Sequence, residues 1–183
     1  MANAVHPYGF RWVEDPHGTS PTPRVRQLVA NGGEAGLTLY RGQPVRLVSG
    51  YLAASTGDGS VGDVVGICNE YLVLAAGVQR LHVPVILAHN AYFEVQVDAD
   101  FAPADLDTFL TLAASDKYDI GSPTLGRSNG TSSAVLDGTG GGQALVIVDY
   151  PYRPDNEIGR YMDVIVRFDE SQFRGQPDFV VYD

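Results

Sequence analysis

A chain of 183 residues fits one domain, and with 44 % apolar residues it can bury a core. Its formal net charge of −10 argues against a phosphate-neutralising surface, since nucleic-acid binders carry a basic patch. Only 19 % of residues are charged, and 21 glycines with 11 prolines favour many turns and short strands over helices.

Residues 1–23 hold Pro7, Pro16, Pro21 and Pro23 and follow no helical or strand period. They also hold Tyr8, Phe10 and Trp12, whereas disordered segments are poor in aromatic residues. Burying each ring is worth about 1.5–3 kcal/mol. An extended N-terminal arm lying on a surface follows, either of its own domain or of a neighbouring subunit. The expectation taken forward is that Tyr8, Phe10 and Trp12 contact a neighbour.

Arg24–Ala30 alternates and reads as a strand; Leu37–Tyr40 and Val45–Ser49 follow as short strands, the second after the turn Arg41-Gly42-Gln43-Pro44. Residues 50–62 read as a loop, in which Gly57, Gly59 and Gly62 match GxGxxG by letter. That fingerprint needs a preceding strand and a following helix, but the strand-like Asp63–Cys68 comes next, so no dinucleotide site is expected. Cys68, the single cysteine, excludes an intrachain disulfide and reads as a small buried hydrophobe. Asn69–Gln79 fits a strand or one helical turn. Pro84 makes Val83–Leu87 an edge or a strand start. Tyr92–Asp98 alternates most clearly: Phe93, Val95 and Val97 share one face, and Tyr92, Glu94, Gln96 and Asp98 the other.

Asp100–Ser115 is the best helix candidate, with Asp105 as its cap and Leu106, Phe109 and Leu112 apolar. Tyr118–Gly142 reads as a long loop rich in Gly, Ser, Thr and Asn, interrupted only by Ala134-Val135-Leu136-Asp137. Ala144–Val148 is a continuous apolar run, as expected of a strand buried on both faces. Tyr161–Phe168 alternates, with Met162, Val164, Val166 and Phe168 on one side. Between them, Pro151, Pro154, Asp155, Asn156 and Gly159 make a structured turn. The tail ends in the strand-prone Phe179-Val180-Val181-Tyr182, fit to pair with an open sheet edge.

The chemistry-bearing residues do not converge in the sequence. His6, His17, His82 and His89 show no metal spacing, and no metal or other cofactor is expected. There is no GxSxG elbow and no phosphate-binding loop. Glu94 and Asp98 share a strand face, as a glycosidase pair could, but two carboxylates there usually mark the wet side of a strand. No apolar run reaches the roughly 18–20 residues that span a bilayer. The start shows no secretory signal, and the sequon at Asn129 then indicates an exposed loop.

The order of certain pieces carries a resemblance. Gly42-Gln43-Pro44-Val45 opens a strand, and Val65-Gly66-Ile67 follows. Then come Tyr92-Phe93-Glu94-Val95-Gln96-Val97 and a Gly/Ser/Thr loop to Ser132-Ser133-Ala134-Val135-Leu136-Asp137. Pro154-Asp155-Asn156-Glu157-Ile158-Gly159 and a valine-rich strand close the series. Over roughly Leu39–Phe168 this resembles the head decoration, or cement, proteins of tailed bacteriophages. The aromatic arm and the tail after Phe168 are longer than the family pattern requires. The resemblance implies a non-enzymatic protein bound outside the capsid, commonly a homotrimer, that ties neighbouring major capsid proteins together.

The expected fold is therefore mainly β: a small barrel or sandwich with at most one short helix over 24–169, an arm over 1–23 and a tail over 170–183. The expected interface residues are Tyr8, Phe10, Trp12, Phe173, Phe179, Val181 and Tyr182. The competing expectation is a carbohydrate-binding or adhesin-like β module, with Tyr150 and Tyr152 stacking on sugar.

Overall fold

The structure, a computed structural model, describes residues 3, 7–13, 25–33, 35–55, 64–77, 80–88, 91–115, 117–122, 126–138 and 144–169. Phe173, Phe179, Val181, Tyr182 and the glycine-rich letters at 57–62 lie outside the described residues. The fold is mainly β with one short helix. In chain order the elements are β1 (Arg11–Val13), β2 (Val25–Asn31), β3 (Leu37–Leu39), β4 (Pro44–Val48), β5 (Tyr51–Ala54), β6 (Gly66–Cys68) and β7 (Leu72–Leu74). They continue with β8 (Arg80–Leu87), β9 (Tyr92–Gln96), α1 (Leu106–Ser115), β10 (Asp119–Gly121), β11 (Val135–Asp137), β12 (Leu145–Asp149) and β13 (Asp163–Phe168).

Two bodies of strands share one wall. The first is a closed barrel in the order β2-β5-β4-β6-β8. The second is an antiparallel sheet in the order β1-β9-β13-β12. The alternation of β6 and β8 joins them. Cys68 and Val85 are cross-strand partners and point into the barrel with Val45 and Leu52. One residue back, the partners Ile67 and Ile86 point the other way, into the sheet's core with Phe93, Val95 and Val166. A two-residue period thus serves two cores from one pair of strands.

Several expectations change. β5 lies in the stretch read as a loop, and β7 resolves Leu72–Leu74 as a strand. The expected long loop 118–142 contains the antiparallel pair β10–β11. Pro84 sits inside β8 rather than at its start. Its carbonyl accepts the Asn69 N–H, so its missing donor falls just past the end of β6, where the ladder has already stopped. β12 is an edge strand, not one buried on both faces: Leu145 and Ile147 are buried but Val148 is 38 % exposed. The helix starts later than the broad window, at Leu106, where the Asp105 carboxylate accepts the Thr108 N–H at 2.8 Å.

The N-terminal segment belongs to the body. β1 extends the sheet beside β9, with Trp12 opposite Phe93. The segment crosses the barrel where two left-handed glycines meet: Gly9 at φ 74° and Gly42 at φ 83°. Phe10 N–H donates to Gly42 O, and Gly42 N–H to Cys68 O, each at 2.8 Å. A Cβ on Gly42 would lie 2.8 Å from Tyr8 O. Gly42→Ala therefore meets both a disfavoured φ and a backbone oxygen. It is expected to cost about 1–2 kcal/mol in urea denaturation; an unchanged midpoint would show that the crossing can loosen without loss.

Candidate functional site

The turn between β12 and β13 is braced from within and from two other parts of the chain. Pro151 and Pro154 restrict φ on either side of Arg153. Asn156 staples the two ends together: its amide donates to Pro151 O and to Asp163 O, each at 3.0 Å, and its carbonyl accepts Asp163 N–H at 2.7 Å. Asn3 clasps the outer side, donating to Glu157 O and Arg160 O and accepting Glu157 N–H.

Arg153 runs beneath the turn to β9. It donates to Glu94 Oε1 at 2.8 Å and to Asp163 Oδ2. The same Glu94 oxygen accepts from Arg11 at 2.7 Å and from the Tyr8 hydroxyl at 2.8 Å. Glu94 is only 3 % exposed, so the face of β9 read as wet is covered by this cluster. Two carboxylates and two guanidiniums balance in charge.

Burial pushes Glu94 up, but hydrogen bonds from Arg11, Tyr8 and Arg153 outweigh it and hold the carboxyl below its usual value. Burial, with the nearby Asp163 and Glu94 charges, raises Tyr8 far above the usual phenol value. Burial and Glu94 also raise Asp163, against the pull of Tyr8 and Arg153. The arrangement holds Glu94 ionised and Tyr8 protonated. Asp98, the other carboxylate of the expected face, accepts backbone N–H groups of Asp100, Phe101 and Gly138. Glu94 and Asp98 thus serve separate structural networks.

The expected interface residues divide. Phe10 is 3 % exposed and packs on its own core, against Phe93 at 6.4 Å and Phe168 at 5.4 Å between ring centroids. The expectation that it contacts a neighbour is corrected: the β1–β9 pairing draws the ring inward. Trp12 packs against the same core, and Tyr8 is held by Glu94. Tyr8, Phe10 and Trp12 line a cleft of about 800 Å3 together with Ile67 and Ile86. Phe173, Phe179, Val181 and Tyr182 are outside the described residues. Cys68 is buried, and that burial pushes its thiol up to about 11.

The sequence reading missed Arg153 as the centre of the brace. It sits 59 positions from Glu94, and no local pattern joins the two. His82 lies on β8, while His6, His17 and His89 are outside the described residues. Among the described residues there is no group of three metal-ligating side chains, and no helix is long and apolar enough to cross a membrane.

On the outer surface, register aligns a row across the barrel wall. Val48 pairs with Tyr51, and Val29 with His82. The parallel pair Ala30–Leu52 places Val29 beside Tyr51. Val48 is 47 % exposed, and Arg80 lies over the Tyr51 ring at 5.3 Å. On the sheet side, Tyr152 is 91 % exposed.

No family model, curated protein sequence or solved structure matches the chain.

Proposed function

We propose that this chain is a head decoration, or cement, protein of a tailed bacteriophage. It docks on the outer surface of the capsid, ties neighbouring major capsid proteins together, and acts as a homotrimer without catalysing a reaction. The order of sequence motifs supports the family. The observation that carries docking is the apolar row Val48–Tyr51–Val29, which crosses three adjacent strands in register. Such a row offers contiguous area to a partner, whereas scattered apolar residues do not. Repetition over a shell multiplies modest contacts.

Two measurements test the reading. The isolated protein should have a native mass three times the 19.6 kDa of one chain. It should also sediment with expanded, DNA-free heads of the phage that encodes it. Val48→Asp is expected to weaken head binding about tenfold or more, as for a residue central to an interface. Absence of wild-type sedimentation with those heads would overturn the decoration reading.

The second reading, a carbohydrate-binding or adhesin-like module, is favoured by the exposure of Tyr152. Saturable binding on a glycan array, together with no affinity for heads, would select it.

A further inference from the structure

A line of rings runs from the core to solvent at the braced turn. Phe101 meets Phe109 edge-on, and Phe109 meets Tyr150 at 5.2 Å between centroids. Tyr150 then meets Tyr152 at 5.7 Å with the planes tilted by 51°. The two tyrosines line a cleft of about 310 Å3 together with Arg153, Asn156, Glu157 and Ile158. Arg153 fixes the backbone beside Tyr152, so the outer ring is presented from a rigid base.

Two polar groups of this lining, Asn156 and Arg153, are already engaged. The Asn156 amide bonds Pro151 and Asp163, and Arg153 is paired with Glu94, Asp163 and Asp155. A sugar ring needs converging hydrogen-bond partners as well as a stacking face, and these two groups are turned to the protein itself. The cleft offers aromatic surface from Tyr150 and Tyr152, with Glu157 in its lining and the exposed Asp155 beside Arg153. Asp149 lies close enough to Tyr150 to raise its hydroxyl, after burial and Tyr152. Arg153 also lines the cleft but is committed to Glu94 and Asp163, and Arg160 is the other cation of the turn, so Asp149, Asp155 and Glu157 outnumber the two cations around the rings by one. A ring face with a negative rim attracts a cation.

We propose that the cleft lined by Tyr150, Tyr152 and Ile158 receives a lysine or arginine side chain presented by a partner protein. The inference rests on the docking reading, in which that partner is the shell protein. It names the contact chemistry, which the resemblance does not supply.

The test uses the full chain and a small probe, N-acetyl-arginine amide, followed by NMR. Saturable shifts are expected at Tyr150, Tyr152 and Ile158. Tyr152→Ala should weaken them by about two- to five-fold, the change an exposed cation–ring contact supports, while Tyr152→Phe should retain them. Because Tyr152 is 91 % exposed, neither substitution threatens the fold. Raising salt should weaken the shifts, since the rim charges are exposed. No localised shift, an equal response in Tyr152→Ala, or preferential binding of methyl glucoside at these residues would overturn the proposal. Head sedimentation is measured separately, so failure of the cleft with retained head binding leaves the decoration reading standing.

Discussion

Phe10→Ala is expected to lower the stability of the isolated chain by about 3–5 kcal/mol, the range for removing a core aromatic side chain. The ring meets Phe93 edge-on and is tilted against Phe168, and those two also meet edge-on at 5.6 Å. Deleting the first ring leaves a gap among three, and the cross-strand register of β9 with β13 prevents collapse into it. A fall of roughly 10 °C in melting temperature is the corresponding thermal readout for a chain of this length. The measurement also decides where the N-terminal segment belongs. A residue that touched only a neighbour would leave the isolated chain's denaturation midpoint unchanged, and that result would return Phe10 to an interface.

Glu94→Ala has the next largest expected effect, about 3 kcal/mol, the low end for breaking a buried ion pair. The low end applies because Arg11 keeps more than half of its side chain in water and can resolvate. Arg153 is less exposed and retains Asp163 as a partner. Glu94→Gln should cost less, since it preserves shape and one acceptor. The pH profile separates charge from packing. Glu94 titrates below its ordinary 4.5 in the folded chain, so its contribution is present above that value and is lost as pH falls through the lower folded one. Asp163 is raised, so its contribution is present below 3.8 and fades as pH rises through the higher folded value. Glu94→Gln should therefore flatten the loss of stability below pH 4.5, measured by urea denaturation across that range. Parallel acid limbs in wild type and variant would place the acid sensitivity elsewhere.

The mainly-β fold was legible because strand alternation is local information. Met162, just before β13, and Val164, Val166 and Phe168 on it are buried on the side that their spacing indicates, although Ile165 on the other side is buried too. The barrel was less legible, because closure depends on β2 meeting both β5 and β8, and β5 is only four residues of Tyr, Leu and Ala. Burial on the second face of β9 was not legible either. Glu94 and Gln96 look like a wet face in sequence, yet Arg11, Arg153 and the Tyr161 carbonyl satisfy them from distant parts of the chain. Their partners are separated by tens of residues, and only the folded topology brings them together. The Asp105 cap, by contrast, lies three residues from its donor and was readable directly.

Closure of the barrel bears on how copies behave when crowded. Among the described residues each of its five strands has a neighbour on both sides, although β2 meets β5 only at Ala30–Leu52, so the ring leaves little continuous backbone ladder for a foreign strand to extend. Among the described residues β1 and β12 flank the sheet, but β1 is three residues long, and β12 is bridged at Leu145 by Tyr118 and carries a register irregularity between Ile147 and Asp149. Short or bulged rims template poorly. Among these described parts, side-chain complementarity is favoured over strand addition as the route to association.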